Sequence, residues 1–123
     1  MTDSELLDST IWIDYLIEGN FKEKLEQDEI FMLSSLSLFE IKRKLLKNKK
    51  LKRKEIDEKI FFVKNKSIII NIDEKIAERA SEIAEERDLG AADALIYTTA
   101  ILNNVTLLTL DNDFRNLDGV KIL

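Results

Sequence analysis

The chain has 123 residues, a formal net charge of −5, and neither cysteine nor histidine. Its length suits one domain that buries roughly two-thirds of its unfolded surface, so we expect a single domain over residues 1–123. The missing residue types exclude disulfides, zinc sites built from thiolates or imidazoles, and histidine bases. Carboxylates, hydroxyls, amines and bound metal ions remain for any chemistry.

Apolar runs of strand length alternate with longer segments of helical period, which predicts an α/β fold. The predicted strands cover residues 6–7, 30–33, 67–70, 105–110 and 120–123. The predicted helices run from Ser9 to Gly19, over 21–26, from Ser35 or Ser37 to Asn48, over 52–64, from Asp73 to Gly90, and over 91–103. Ser9 and Asp73 are expected to cap the start of their helices, and Gly90 to end the second.

Helices between strands imply parallel strands joined by right-handed crossovers. We expect a three-layer α/β/α sandwich whose parallel five-stranded sheet has the order 3-2-1-4-5. In such a sheet a ligand site lies at the carboxyl ends of the strands, where the connection order reverses. Trp12 and Phe114 are expected in the core.

Two of the predicted strands run directly into acidic residues. Strand 6–7 is followed by Asp8, and strand 105–110 by Asp111 and Asp113. If these strands are central neighbours, their acids lie side by side at one crevice. Each acid taken singly also fits a simpler interpretation, as a turn or cap residue.

Two further acids lie on predicted helices with few polar positions. Glu40 sits in the apolar sequence LSLFEI, and Asp93 is the only acidic or basic residue from 89 to 110. A solvated Glu40 remains an open interpretation, as does an Asp93 that only complements the dipole in the first turn of its helix.

Convergence of these acids would demand a counter-charge. Two like charges roughly 4 Å apart repel by about 4 kcal/mol at an effective dielectric of about 20, so converging carboxylates need a proton or a cation. Mg²⁺ takes oxygen ligands, and this chain offers it no other kind. Such an ion supplies the charge stabilisation and the water of lowered pKa that phosphodiester hydrolysis requires.

The charge of the chain is strongly segregated. Residues 42–54 (KRKLLKNKKLKRK) hold nine Lys and Arg and no acid. The other ten basic residues stand against all 24 acidic ones, so the remainder carries −14. The basic run is either a solvated helix face or a site for a polyanion.

The sequence resembles the PIN domain, specifically VapC toxins of type II toxin-antitoxin pairs. The resemblance spans nearly the whole chain and rests on four motifs in order: LLDSTIWIDYL, SLFEI, GAADALIYTTAI and LLTLDNDFRNL. It implies a PIN-like fold, a Mg²⁺- or Mn²⁺-dependent endoribonuclease, a homodimer, and inhibition by a small DNA-binding antitoxin of the VapB type.

The resemblance also implies roles for individual residues. The four acids of the family fall on Asp8, Glu40, Asp93 and Asp111, with Asp8, Asp93 and Asp111 as metal ligands. Asp113 is implied as an accessory acid, and Ser9 and Thr109 as supporting hydroxyls, although Ser9 is equally suited to capping alone. The basic run would bind the RNA backbone, chiefly through Lys42, Arg43, Lys47, Lys49 and Lys50.

Several alternatives remain open from the sequence. A receiver domain of phosphorelay signalling has similar length and an acidic Mg²⁺ pocket, but it wants an acid pair where this chain has Asp8-Ser9. A binding module with a structural ion, or a PIN nuclease of RNA maturation, is also compatible with these residues. A DxD phosphatase is not, because Thr10 stands where its second Asp is needed.

The location of the protein is predicted from what the sequence contains. No basic and apolar leader opens the chain, and the most apolar stretch, 89–110, is interrupted by Asp93, Asn103 and Asn104. We therefore expect a cytoplasmic protein without a membrane partner.

Overall fold

A computed structural model describes residues 4–123, so residues 1–3 of the expected domain lie outside the described part. All strand pairs are parallel, and the order β3-β2-β1-β4-β5 confirms the predicted sheet. The strands are β1 Glu5–Leu7, β2 Phe31–Ser34, β3 Ser67–Ile70, β4 Thr106–Thr109 and β5 Val120–Ile122. The helices are α1 Ser9–Glu18, α2 Lys22–Leu25, α3 Ser35–Lys47, α4 Arg53–Asn65, α5 Glu74–Arg87 and α6 Ala91–Leu102, with a 3₁₀ turn at Asn112–Phe114.

The two central strands, β1 and β4, are in register along their length. Leu6 pairs with Leu107 and Leu7 with Leu108. The ladder continues one residue past β1, because the Asp8 amide donates to the Leu108 carbonyl at 2.9 Å. Both strands therefore end at the same edge of the sheet, and the chain segments that follow them start side by side.

The pleat of β1 divides the molecule into two apolar layers, one on each face of the sheet. Leu7 faces a core that contains Trp12 and is completed by buried side chains of α1, α3 and α4. Leu6 faces a second core that contains Phe114 and is completed by α5 and α6. The predicted core positions of Trp12 and Phe114 are confirmed, and α3 and α6 lie on opposite faces of the sheet.

The helix starts differ from the predictions at two positions. Asp8, not Ser9, is the N-cap of α1, and its carboxylate accepts from the Ser9 amide at 2.8 Å. Ser34, not Ser35 or Ser37, caps α3. In both cases a polar residue follows the polar cap, so composition alone leaves the exact start ambiguous. The cap at Asp73 is confirmed.

The end of α5 also falls earlier than predicted. Asp88 ends the helix in the left-handed conformation, at φ 55°. Asp tolerates this region because its short side chain bonds locally, so glycine is not required there. Gly90 is instead the N-cap of α6. Two helices thus meet with only a short connection, which packs α5 against α6.

No helix within residues 4–123 combines the length and apolar composition needed to cross a bilayer.

Candidate active site

Four elements bring the predicted acids to the carboxyl edge of the sheet. Asp8 follows β1, and Asp111 lies just beyond β4, at the start of the 3₁₀ turn. Glu40 comes from α3 on one face of the sheet, while Asp93 comes from the first turn of α6 on the other. The site is therefore built from all three layers of the fold.

Asp8 is a buried carboxylate whose two oxygens are both occupied by hydrogen bonds; the residue is 4% exposed. Its Oδ1 accepts from the Ser9 amide at 2.8 Å. Its Oδ2 accepts from the hydroxyls of Thr109 at 2.7 Å and Thr10 at 3.0 Å. Donors that point at the ionised form offset the desolvation that a buried charge suffers, so the carboxylate is held in one orientation.

The two threonines also fix the chain after β4. The Thr109 hydroxyl accepts from the Asp111 amide at 3.0 Å, and the Thr10 hydroxyl accepts from the Leu110 amide at 3.1 Å. Each hydroxyl has one proton, which it gives to Asp8, so the 3.4 Å approach of the two hydroxyl oxygens is a contact only. This network ties the backbone of Asp111 to the carboxylate of Asp8.

Glu40 reaches the same edge from α3. Its Oε1 accepts from the Ser9 hydroxyl at 3.0 Å, which places it beside the start of α1. Burial raises the pKa of Glu40, and the negative charge of Asp8 raises it further, while the Ser9 hydrogen bond lowers it. Glu40 is therefore half-buried and hydrogen-bonded rather than fully solvated.

Asp93, Asp111 and Asp113 form a tight carboxylate group. One carboxylate oxygen from each lies within 4.8 Å of the others. The Asp113 amide donates to Asp111 Oδ1 at 2.9 Å, so the 3₁₀ turn brings the second acid beside the first. Asp113, predicted as an accessory acid, therefore lies beside the predicted ligands Asp93 and Asp111.

The charges of all these acids converge on Asp93. Burial, the largest cause, and then the charges of Asp111, Asp113, Asp8 and Glu40, in that order, raise the pKa of Asp93 from its usual 3.8 to about 6. A helix start favours an anion, which would lower the pKa, so burial and the neighbouring acids outweigh that effect at Asp93. The predicted convergence of acids is present in the structure.

The donor set fits a hard divalent cation. Every candidate ligand is a carboxylate oxygen, the kind that Mg²⁺ and Mn²⁺ prefer. Asp93, Asp111 and Asp113 can hold such an ion. The charge of Asp8 acts on Asp93. Direct ligation of the metal ion by Asp8 stays a prediction.

A groove of about 490 Å³ leads from Glu40 along α3. Its basic residues, Arg43, Lys44 and Lys47, follow Glu40 at helical spacings of three, four and seven residues. Of the basic residues predicted to bind RNA, Arg43 and Lys47 line this groove. Lys42 lines a neighbouring groove.

The remaining two predicted basic residues, Lys49 and Lys50, are exposed between α3 and α4 and line neither groove.

Sequence reasoning missed Thr10 and Lys44. Thr10 breaks a DxD motif, but a hydroxyl two residues after a strand-end acid can also reach that acid. Lys44 belongs to the basic run, but its spacing of four from Glu40 also places it on the same helix face. Both signals were present in the sequence.

An α/β domain with acids gathered at the carboxyl ends of its central strands defines a class that includes metal-dependent nucleases. The sequence matches the PIN domain over residues 6–120, and the chain belongs to this family. No curated protein sequence matches the chain significantly.

Solved structures of VapC toxins from VapBC complexes are the structural neighbours. A toxin-antitoxin complex from Klebsiella pneumoniae is 26% identical, with a TM-score of 0.81 and 96% of both chains covered. VapBC2 from Rickettsia felis, bound to a promoter DNA fragment, is 23% identical, with a TM-score of 0.74 over 97% of this chain and 96% of that one. VapC20 from Mycobacterium tuberculosis, a sarcin-ricin loop cleaving toxin, is 14% identical, with a TM-score of 0.72 over 97% and 98%.

Replacing Thr109 tests the network that holds Asp8. Thr109→Val keeps the shape of the buried side chain but removes one donor to Asp8 and leaves the Asp111 amide without its acceptor. We expect a loss of about 1–3 kcal/mol in the free energy of unfolding, measured by urea denaturation. Thr109→Ser retains the hydroxyl and should recover most of it. Equal stability of the Val and Ser variants would contradict this role.

Asp93→Asn tests the electrostatic strain in the metal-free protein. The pKa of the Asp93 carboxyl is about 6 in the folded protein and about its usual 3.8 in the unfolded chain. The contribution of this carboxyl to the free energy of unfolding is therefore fully present below pH 3.8 and is lost as the pH rises through 6. The variant, which cannot ionise, should match wild type at low pH and exceed it by about 1 kcal/mol at pH 7, allowing for solvent screening.

The measurement is urea denaturation in EDTA across this pH range, with exposed Asp28→Asn as the matched control. A variant that is markedly less stable than wild type at pH 7 would favour helix capping as the role of Asp93.

Proposed function

We propose that the protein is a Mg²⁺- or Mn²⁺-dependent endoribonuclease and the toxin of a toxin-antitoxin pair. The observation that carries this proposal is the convergence of Asp8, Glu40, Asp93 and Asp111, with Asp113, at one edge of the sheet. Membership of the PIN family supports the same assignment. The proposal treats the chain as a single PIN-like domain that acts in the cytoplasm.

The metal site in this proposal consists of Asp93, Asp111 and Asp113, together with Asp8. A bound divalent ion supplies positive charge to the phosphoryl oxygens and lowers the pKa of a water molecule. The chain positions the ligands in advance: Thr10 and Thr109 orient the carboxylate of Asp8, and the Asp113 amide orients that of Asp111. Little rearrangement is then needed at the moment of reaction.

Glu40 is the group that we assign to proton acceptance. Its Oε1 is engaged with Ser9, and the raised pKa makes Glu40 a better base than an ordinary glutamate. Arg43, Lys44 and Lys47 then bind the phosphates of the RNA as the strand leaves Glu40 along the groove.

The toxin role is supported by the neighbours rather than by the site itself. The Klebsiella structure is a toxin-antitoxin complex, and the Mycobacterium toxin cleaves the sarcin-ricin loop. By analogy, we propose a VapB-like antitoxin as partner and a homodimer as the assembled toxin. A PIN nuclease of RNA maturation would use the same acids and remains the second candidate.

The sheet order argues against the receiver-domain alternative. Receiver-like folds have the order 2-1-3-4-5, whereas this sheet has β3-β2-β1-β4-β5. In addition, Glu40 and Asp93 lie on helices, where a receiver pocket has no acids to place. A phosphorelay mechanism therefore has no role for the two acids that α3 and α6 contribute to this site.

Loss of metal, or of one carboxylate, should abolish RNA cleavage. We expect wild type with Mg²⁺ or Mn²⁺ to cleave members of a panel of structured RNAs, and EDTA to stop the reaction. Asp93→Asn should lower the rate by on the order of 100-fold or more, because several kcal/mol of charge stabilisation at the phosphoryl group is lost. Gel electrophoresis of end-labelled RNA measures both effects.

The matched control is Asp28→Asn, which removes an equal charge from an exposed site and should cleave as wild type does. Cleavage that survives EDTA, or full activity of Asp93→Asn, would reject the mechanism.

Salt dependence distinguishes the basic residues of the groove from those outside it. Lys47→Gln should reduce the slope of log affinity against log salt by about 0.7 for single-stranded RNA, since one phosphate contact is lost. Lys50→Gln, which removes the same charge outside the groove, should change the slope less. Fluorescence anisotropy between 50 and 300 mM salt, roughly the range over which such slopes are resolved, measures both. Equal slopes for the two variants would contradict backbone binding along α3.

A further inference from the structure

An exposed aromatic ring lies directly beside the acidic site. Phe39 precedes Glu40 on α3 and is 59% exposed. An exposed phenyl ring lacks the favourable free energy that its burial would give. A large exposed aromatic side chain beside a site therefore indicates a contact with a ligand or a partner.

Phe39 and Arg43 separate two grooves on the surface of α3. Both residues line the groove that contains Ser9 and Glu40, and both line the neighbouring groove. The two side chains are one helical turn apart and form a ridge, which we call the Phe39 ridge. The neighbouring groove also contains Ser35, Leu38, Lys42 and Leu46.

We infer that Phe39 is a stacking platform for an unpaired RNA base next to the phosphate that is cleaved. The inference rests on the proposed function and narrows it: the substrate class is RNA whose bases are accessible, as in loops and single strands. Arg43, Lys44 and Lys47 bind the flanking phosphates while the ring of Phe39 contacts the face of one base.

The chemistry of the ridge fits an unpaired nucleotide. Every base has a π-face, so an aromatic side chain binds unpaired bases with little dependence on sequence. In duplex RNA those faces are stacked inside the helix, and protein contacts go to the backbone and the 2′-hydroxyls. A ring on the outer face of a rigid helix therefore binds RNA with unpaired bases in preference to duplex RNA.

The charges around Phe39 favour RNA over a second copy of this chain. Arg43, Lys44 and Lys47 form no ion pair with any carboxylate of residues 4–123. Glu40 has the spacing to pair with Lys44, but it is hydrogen-bonded to Ser9. A two-fold contact centred on the ridge would oppose these cations to their own copies, whereas an RNA backbone neutralises them.

The test uses hairpin RNAs with 2-aminopurine at single loop positions, bound to full-length protein that carries Asp93→Asn to prevent cleavage. Stacking changes the emission of 2-aminopurine, so we expect a large change at one loop position. Adding Phe39→Leu keeps an apolar side chain but removes the π-face, and should abolish that change and weaken loop binding about tenfold. Adding Phe39→Tyr should preserve both, and a fully paired RNA should bind all variants equally.

The matched control is Phe61→Leu, because Phe61 is a similarly exposed ring, at 66%, on α4 and lines neither groove. The Phe61→Leu variant should bind the hairpin RNA, and change the emission of 2-aminopurine, as its parent protein does. Light scattering on the same samples gives the oligomeric state. A change of oligomeric state in Phe39→Leu alone would mean that the ring covers a protein interface and would overturn the inference.

Cleavage assays with Asp93 intact separate this inference from the proposed function. Phe39→Leu should lower kcat/KM for loop substrates about tenfold, the effect of one lost base stack. If wild type cleaves RNA and Phe39→Leu binds and cleaves equally well, the stacking role fails and the nuclease assignment stands. If wild type cleaves no RNA with Mn²⁺, the nuclease assignment fails, and an emission change that depends on Phe39 then supports only RNA binding. Absence of any emission change in the parent protein also overturns the stacking role.

Discussion

The topology of the sheet places several carboxylates close enough to repel one another. Pairing of β1 with β4 forces Asp8 and Asp111 to leave the sheet side by side, and α6 then adds Asp93. The two threonine hydroxyls and the Ser9 amide donate hydrogen bonds to the Asp8 carboxyl, but no such set of donors surrounds Asp93 among the described residues. The remaining repulsion is what makes this edge of the sheet a receptor for positive charge.

Acidic and basic residues lie at different positions along the groove on α3. The basic residues of the groove begin one turn after Glu40 on the same helix face, so attraction for a polyanion and repulsion by the carboxylates act within one groove. A phosphate backbone drawn to Arg43 and Lys47 is therefore repelled at Glu40 and Asp93 unless a cation is bound there. Under the proposed function, binding of RNA and occupation of the metal site would therefore reinforce each other.

The sheet order, the five strands and six α-helices of residues 4–123, and the gathering of acids were predictable from the sequence, because periodicity and strand-end residues report directly on parallel topology. The helix starts at Asp8 and Ser34 were less so, since adjacent polar residues compete for one cap. The closeness of Asp113 to Asp93 depends on the 3₁₀ turn, which three residues of sequence do not signal. The position of Thr10, two residues after a strand-end acid, signals its hydrogen bond to Asp8, whereas its bond with the Leu110 amide joins residues a hundred positions apart and has no local signal.

The acids of the site are carried by helices on opposite faces of the sheet, and these helices also contact each other directly where α3 meets α6. Glu40 belongs to the layer of α3, whose buried side chains pack on one face, and Asp93 belongs to the layer of α6, packed on the other. A molecule wedged between these helices would spread the carboxylates without contacting any of them. In a nuclease of the proposed kind, a molecule bound between α3 and α6 would therefore inhibit the site without competing for the metal.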